Sequence, residues 1–142
     1  MQITFGWFLI IFPGILFIVQ IISALNFKLA QKLGLQENPE TADKILQRAE
    51  RYTAYWDLVT LVWMPLSGIL MVINHSSWPY FSLIAGAIYF DAAGREAAKN
   101  LSFNHEGINI GTAQQKRLFF STYIIMAIIA VVVIVYSLNN LL

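Results

Sequence analysis

Four apolar stretches, Ile3 to Leu25, Ala54 to Ile73, Trp78 to Gly94 and Leu118 to Leu138, alternate along the chain with polar connections. In the first, only Thr4, Gln20 and Ser23 are clearly polar. At ~1.5 Å per residue it reaches roughly 34 Å, enough to cross the hydrocarbon core of a bilayer. Pro13-Gly14 predicts a kink near its middle. The helix is expected to run on through Phe27, Lys28 and Lys32 to Gly34, a natural C-cap residue.

Asn38-Pro39 reads as the next helix start, with Asn as N-cap, Pro at the first helical position and Glu40 and Asp43 near the positive end of the dipole. No breaker follows before Pro65, and Pro65-Leu66-Ser67-Gly68 should bend the second span. Ala42, Ile45, Ala49, Tyr52 and Trp56 recur at spacings of three and four, which predicts a face packed on Leu29 and Leu33 of the first helix. The two helices should then project from the bilayer as a hairpin. Asn74 to Ser77 is a tight turn, and Trp78, Pro79 and Tyr80 open the third span as interfacial residues. Ser82 and Gly86 form a small-x-x-x-small pair suited to close helix contact. That helix is expected to continue through Lys99, before a loop from Asn100 to Gly111. Thr112 and Gln115 form a capping-box pattern for the fourth helix, which is apolar all round from Ile124 to Val135 and so should face lipid or a partner protein.

The charges orient this pattern. All nine Lys and Arg residues fall in the first and third connections: Lys28, Lys32, Lys44, Arg48 and Arg51 in one, Arg95, Lys99, Lys116 and Arg117 in the other. That is the positive-inside pattern. The expected fold is all-α: a four-transmembrane-helix bundle forming one domain over residues 1–142. Both termini are non-cytoplasmic (N-out, C-out), and a cytoplasmic helical hairpin extends between helices 1 and 2. The first stretch reads as an uncleaved, reversed signal anchor, because its charges follow the apolar run instead of preceding it. With 58% apolar and 12% charged residues, the chain has about half the charge of a typical soluble domain, where roughly 25% is usual. No basic concentration suits nucleic acid, whereas the local clusters suit anionic lipid headgroups. The absence of cysteine excludes disulfides, thiol catalysis and thiolate metal sites.

Few side chains invite chemistry. Asp57 lies about one turn inside the second span and Asp91 about one turn inside the end of the third, at similar depth in antiparallel helices. Ionisable groups there suggest a proton or cation relay, with Arg95 and Arg51 as partners. The structural reading, which is preferred, makes Asp91 and Arg95 an i,i+4 ion pair and Asp57 an interfacial anchor reaching Arg51 or Arg95. Arg48, Tyr52, Tyr55 and Trp56 form a candidate lipid or quinone interface, or equally an aromatic belt with snorkelling arginine. Pro13, Pro65, Gly68, Ser82 and Gly86 are read as helix-packing positions. His75 and His105 lie on opposite sides of the bilayer and cannot share a haem or metal. No hydrolase elbow or phosphate-binding loop occurs, so no catalytic residue, cofactor or metal is expected.

Ser23-Ala24 before a basic connection, Trp56 followed by Pro65-Leu66-Ser67-Gly68, Arg95 after the third span, and Lys116-Arg117-Leu118-Phe119 opening the fourth together resemble uncharacterised bacterial four-helix integral membrane proteins. That group is similar in turn to copper-resistance D and HemJ-type membrane proteins. The resemblance implies a multi-pass protein of the bacterial inner membrane. Members handling haem or metal are expected to carry a histidine in the first helix, and none occurs between Met1 and Lys32.

The leading functional expectation is a non-catalytic membrane protein acting by association, as a homo-oligomer or as an accessory or assembly subunit of a larger membrane complex. Its partners would be membrane lipids and protein, not nucleic acid. The alternative is a small proton-coupled transporter or channel using Asp57 and Asp91, and a weaker one is a quinone- or haem-binding protein.

Overall fold

A computed structural model describes all 142 residues as six helices with no strand. They are α1 (Gln2–Leu25), α2 (Phe27–Lys32), α3 (Lys44–Thr60), α4 (Trp63–Val72), α5 (Trp78–His105) and α6 (Ala113–Leu141). Three helical stretches are long and apolar enough to cross a membrane: α1, α3 with α4 from Lys44 to Val72, and α6. Helix α5 is long enough, but Asp91, Arg95, Glu96 and Lys99 interrupt its apolar part. The chain is therefore an all-helical membrane protein by length and composition.

Two antiparallel pairs make the bundle. Helix α1 runs against α3 and α4. Gln2 Nε2 donates to Met71 O at 2.9 Å and Asn74 Oδ1 at 3.1 Å at one end, and Gln31 Nε2 donates to Gln47 Oε1 at 3.0 Å at the other. Helix α5 runs against α6, with Trp78 stacked on Tyr136 at 5.5 Å, Asn100 Nδ2 donating to Tyr123 OH at 2.6 Å and Lys116 Nζ donating to Asn104 Oδ1 at 2.9 Å. A core that includes Leu9, Met64, Met71, Tyr89 and Val133 joins the pairs. The outer faces are apolar as well: Trp7, Ile11, Ile15 and Ile18 on α1, and Ile124, Ile128, Val131 and Val135 on α6, are exposed, as lipid contact requires.

Glycine sets the closeness of each pair. A Cβ on Gly68 would lie 2.7 Å from Gly6 O, and one on Gly6 2.8 Å from Gly68 O, so α1 and α4 touch backbone to backbone. A Cβ on Gly86 would meet Ile134 Cγ1 at 2.7 Å and Ala130 O at 3.2 Å. Gly68, Ser82 and Gly86 are all buried at these contacts.

Several boundaries differ from the sequence expectation. Helix α1 ends at Asn26, which leaves helical geometry (φ −146°, ψ 80°) and caps α2 by accepting from Leu29 N at 3.0 Å. Gly34 (φ +70°) then closes α2, with Leu35 N bonded to Ala30 O and Gly34 N to Gln31 O. Asn38-Pro39 opens a turn, not a helix: Asn38 Oδ1 accepts from Glu40 N at 2.9 Å. Helix α3 begins six residues beyond Asn38, at Lys44. Its start is held by the third connection, since Asn109 N donates to Asp43 Oδ2 at 2.6 Å and Asn109 Nδ2 to Thr41 O at 2.6 Å, over a small core of Ala42, Leu46 and Ile110. Pro13 leaves α1 continuous. Pro65 interrupts the other arm one turn upstream, at Leu61–Val62, where it offers no N–H to the Leu61 carbonyl. Helix α5 runs past Lys99 to His105, and the capping box of Thr112 and Gln115 is present.

The buried face of α3 is displaced by one residue from the expected one. Ile45, Tyr52 and Trp56 are exposed, and Leu46, Glu50, Thr53 and Asp57 turn inward. Leu29 and Leu33 are also exposed.

Replacing Gly68 with leucine should destabilise the fold by about 1–3 kcal/mol, because the obstruction is backbone and cannot move aside. Gly14→Ala, where an added Cβ meets nothing within 4 Å, should be neutral or slightly stabilising. Reversible unfolding in mixed micelles measures both.

Candidate functional site

The displaced face of α3 opens a chamber. It is a cavity of about 320 Å³ between the second half of α1, the segment Gly34–Glu37, α3, α5 and the first half of α6. Its apolar lining includes Leu16, Val19, Leu61, Ala92, Phe119 and Met126. Its acids are Glu37, Glu50, Asp57 and Glu96.

Each acid is placed by local structure. Glu50, Thr53 and Asp57 follow one another at i, i+3 and i+7 on α3, one side of a helix. Glu96 lies seven residues beyond Tyr89 on the buried stripe of α5. Glu37 sits in the first connection, which is pinned inward where Gln36 Nε2 donates to Ser23 Oγ at 3.0 Å and Ser23 Oγ donates to Val19 O at 2.9 Å.

One cation meets these acids. Lys99 Nζ lies 2.7 Å from Glu50 Oε1, 2.5 Å from Glu96 Oε2 and 3.3 Å from Thr53 Oγ1. Glu50 Oε1 is buried at this contact, so the Lys99 ammonium is what satisfies it. Burial acts to lower the Lys99 pKa, but Glu50 and Glu96 outweigh it and the net shift is upward, which keeps the ammonium charged.

Glu37 and Asp57 have no such partner. Each is only 4% exposed, and Glu37 Oε2 and Asp57 Oδ1 are buried without a hydrogen bond. A lone buried carboxylate is costly, so it must be protonated, wetted or met by an incoming cation. Burial first, and then the nearby Glu50, push the Glu37 pKa up to about 7 against the opposing pulls of its own backbone N–H and of Lys99. Glu37 thus exchanges its proton near neutral pH. Beyond Asp57, the Tyr89 hydroxyl and Ser82 Oγ on α5 are likewise buried and unpaired, which continues the polar file toward the opposite end. There Phe5, Trp78 and Tyr136 pack against one another.

Of the residues singled out in the sequence, only Asp57 lines the chamber. Asp91 turns outward, its side chain 71% exposed, and pairs with Arg95 at 3.7 Å. Arg51 is exposed and forms no ion pair. Arg48, Tyr52, Tyr55 and Trp56 share the exposed outer surface of α3. His75 is confined to its turn, with Nδ1 2.7 Å from Ser77 Oγ, and His105 ends α5. No three His, Asp or Glu side chains converge tightly enough to hold a metal ion. Sequence reasoning passed over Glu37, Glu50, Glu96 and Lys99. The available signal was the helical spacing of Glu50, Thr53 and Asp57 running into an apolar segment.

The raised Glu37 pKa carries a sign. The folded chain holds this proton more tightly than the unfolded chain, so the stabilisation is complete below the ordinary value of 4.5 and is lost as pH rises through about 7. Over that window the loss from Glu37 alone is at most about 3 kcal/mol. Glu37→Gln should flatten the fall in thermal stability between pH 4.5 and 8 and leave the variant more stable than the parent at pH 8. Comparison with protein-family models, curated proteins and solved structures finds no match to this chain, so the chamber is interpreted from its own chemistry.

Proposed function

We propose that this is a four-span integral membrane protein working as a small proton-translocating carrier, with Asp57 and Glu37 as its proton-binding groups. The observation that carries the reading is the pair of buried carboxylates with unpartnered oxygens on residues that line a cavity, beside which the Lys99 ammonium is already engaged by two other acids. Glu37 contributes exchange near neutral pH, and Asp57 leads inward toward Tyr89 and Ser82. Asp91, the other acid suggested by the sequence, faces away and is left as an anchor for Arg95.

Support for four spans comes from the pairing of α5 with α6. The two lie antiparallel from Trp78 against Tyr136 to Asn104 against Lys116, so a bilayer crossed by α6 is crossed by α5 as well. The basic connections support a chamber mouth on the cytoplasmic side and both termini on the other side of a bacterial inner (plasma) membrane.

Association is a second proposal, as a homo-oligomer or accessory subunit. A shallow apolar groove between α5 and α6, lined by Phe90, Ala93, Gly94 and Ala97, favours it, because nothing lies within 4 Å of a Cβ added at Gly94. The native mass in mild detergent tests it: a large assembly with a stoichiometric partner would support it, and a bare monomer would remove it.

The carrier reading is tested in liposomes holding a pH-sensitive dye, with a potassium diffusion potential imposed by valinomycin. The parent should acidify the lumen severalfold faster than protein-free liposomes, and Asp57→Asn should remove at least four-fifths of that excess while keeping its helical content. A parent indistinguishable from empty liposomes would end the reading.

A further inference from the structure

The chamber is lined by apolar side chains and by four acids, with no lysine or arginine among its lining residues, and together these specify a ligand. Beside the cavity, Lys99 holds an ammonium between Glu50 and Glu96, two of the acids that line it, with Thr53 as a third contact. Once Glu50 and Glu96 are so engaged, Glu37 and Asp57 still line the cavity on side chains more than nine-tenths buried, each with one oxygen, Glu37 Oε2 and Asp57 Oδ1, that has no hydrogen bond. A metal ion does not suit them, because no three acids converge on one point. A larger cation bearing N–H donors does, since it can span separated carboxylates. The apolar lining from Leu16 and Val19 on α1 and from Phe119 and Met126 on α6 calls for an apolar body, and about 320 Å³ is at the small end of ligand cavities.

We propose that the chamber binds one small organic cation, an ammonium or guanidinium with an apolar tail, its N–H groups on Asp57 and Glu37 and its tail against the α1 and α6 wall. The inference rests on the carrier reading only for the direction of exchange. When Glu37 is protonated, entry of the cation releases that proton to solvent and leaves a carboxylate–cation pair, so charge in the chamber is unchanged. Glu37 is faced by Glu50 and Asp57 from α3, by Glu96 and Lys99 from α5, by Tyr123 from α6 and by uncharged Gln20 from α1. Lys99 is the only cation among them and is already bridged, so an added cation has two unneutralised acids to meet.

Titration calorimetry on the full chain in detergent tests this with benzylguanidinium as probe and benzylurea, its uncharged isostere, as control. At pH 8 benzylguanidinium should bind saturably at one per chain and benzylurea at least tenfold more weakly. Affinity should fall at least fivefold at pH 5.5, and buffers of different ionisation enthalpy should reveal proton release near pH 7. Asp57→Asn and Glu37→Gln should each weaken binding at least tenfold, and Asp91→Asn should change it less than twofold. If Asp57→Asn fails to fold, Glu37→Gln decides alone. Absence of saturable binding at pH 8, equal binding of the urea, or affinity within twofold of the parent in the chamber variants that fold would overturn the proposal. The two readings separate cleanly: binding without proton flux in liposomes keeps this inference and ends the carrier, and flux without binding does the reverse.

Discussion

A single ammonium among four carboxylates is the constraint from which the rest of this structure follows. Helices α3 and α5 meet only sparingly along their lengths, and Lys99 spans the gap, reaching Glu50 and Thr53 on one side and Glu96 on its own helix. Taking one partner from such a buried group typically costs 3–5 kcal/mol, because it strands the charge that remains. The bridge therefore both ties the two helices and holds them apart, and the space it maintains is the chamber. It also accounts for the isolation of Glu37 and Asp57, since the ammonium that could have neutralised them is already committed.

The helix pairs supply the rigid frame around that space. Gly6 against Gly68 and Gly86 against Ala130 bring each pair together at backbone distance in the half of the bundle away from the acids. In the other half, the polar inward residues of α3 and the docked segment Gly34–Glu37 prevent the same closeness. The two pairs meet where Phe5 and Trp78 both pack on Tyr136, and the chamber lies between them toward the basic end. The clasp of Asn109 onto Asp43 and Thr41 then fixes the start of α3, which sets how Glu50 and Asp57 point.

How much of this was legible depends on which solvent each residue faces. Helix content, the capping box at Thr112, the turn at Asn74 and the close contact of Gly86 could be read because they rest on local chemistry or on residue size. The inward face of α3 could not be read from apolar periodicity. In lipid the apolar side of a helix can face outward, so Ile45, Tyr52 and Trp56 drew attention to the exterior, and the true inner stripe was disguised as ordinary polar residues one position away. Glu50, Glu96 and Lys99 resemble an extramembrane charged surface until the third dimension closes them in. Asn26 and the start at Lys44 were obscured for another reason: hydrogen bonds with distant partners displaced boundaries that local propensity had placed elsewhere.

All nine basic residues gather at one end of the molecule, because antiparallel packing brings α2, the first half of α3, the second half of α5 and the start of α6 together there. The buried acids open toward the same end, yet Lys28, Arg48 and Arg51 do not neutralise them: all three are exposed and none forms an ion pair with an acid. An exposed cation is hydrated and screened within about 8–10 Å at physiological salt, so its field falls away before it compensates a desolvated carboxylate. A buried charge is balanced chiefly by what shares its low-dielectric surroundings: Lys99 is committed to Glu50 and Glu96, and the half-exposed Arg95, which also acts on Asp57, is paired with Asp91. The overall charge of +1 therefore conceals a strongly acidic interior beneath a basic rim. Such an arrangement leaves Glu37 and Asp57 two ways to be satisfied, a proton or a cation small enough to enter.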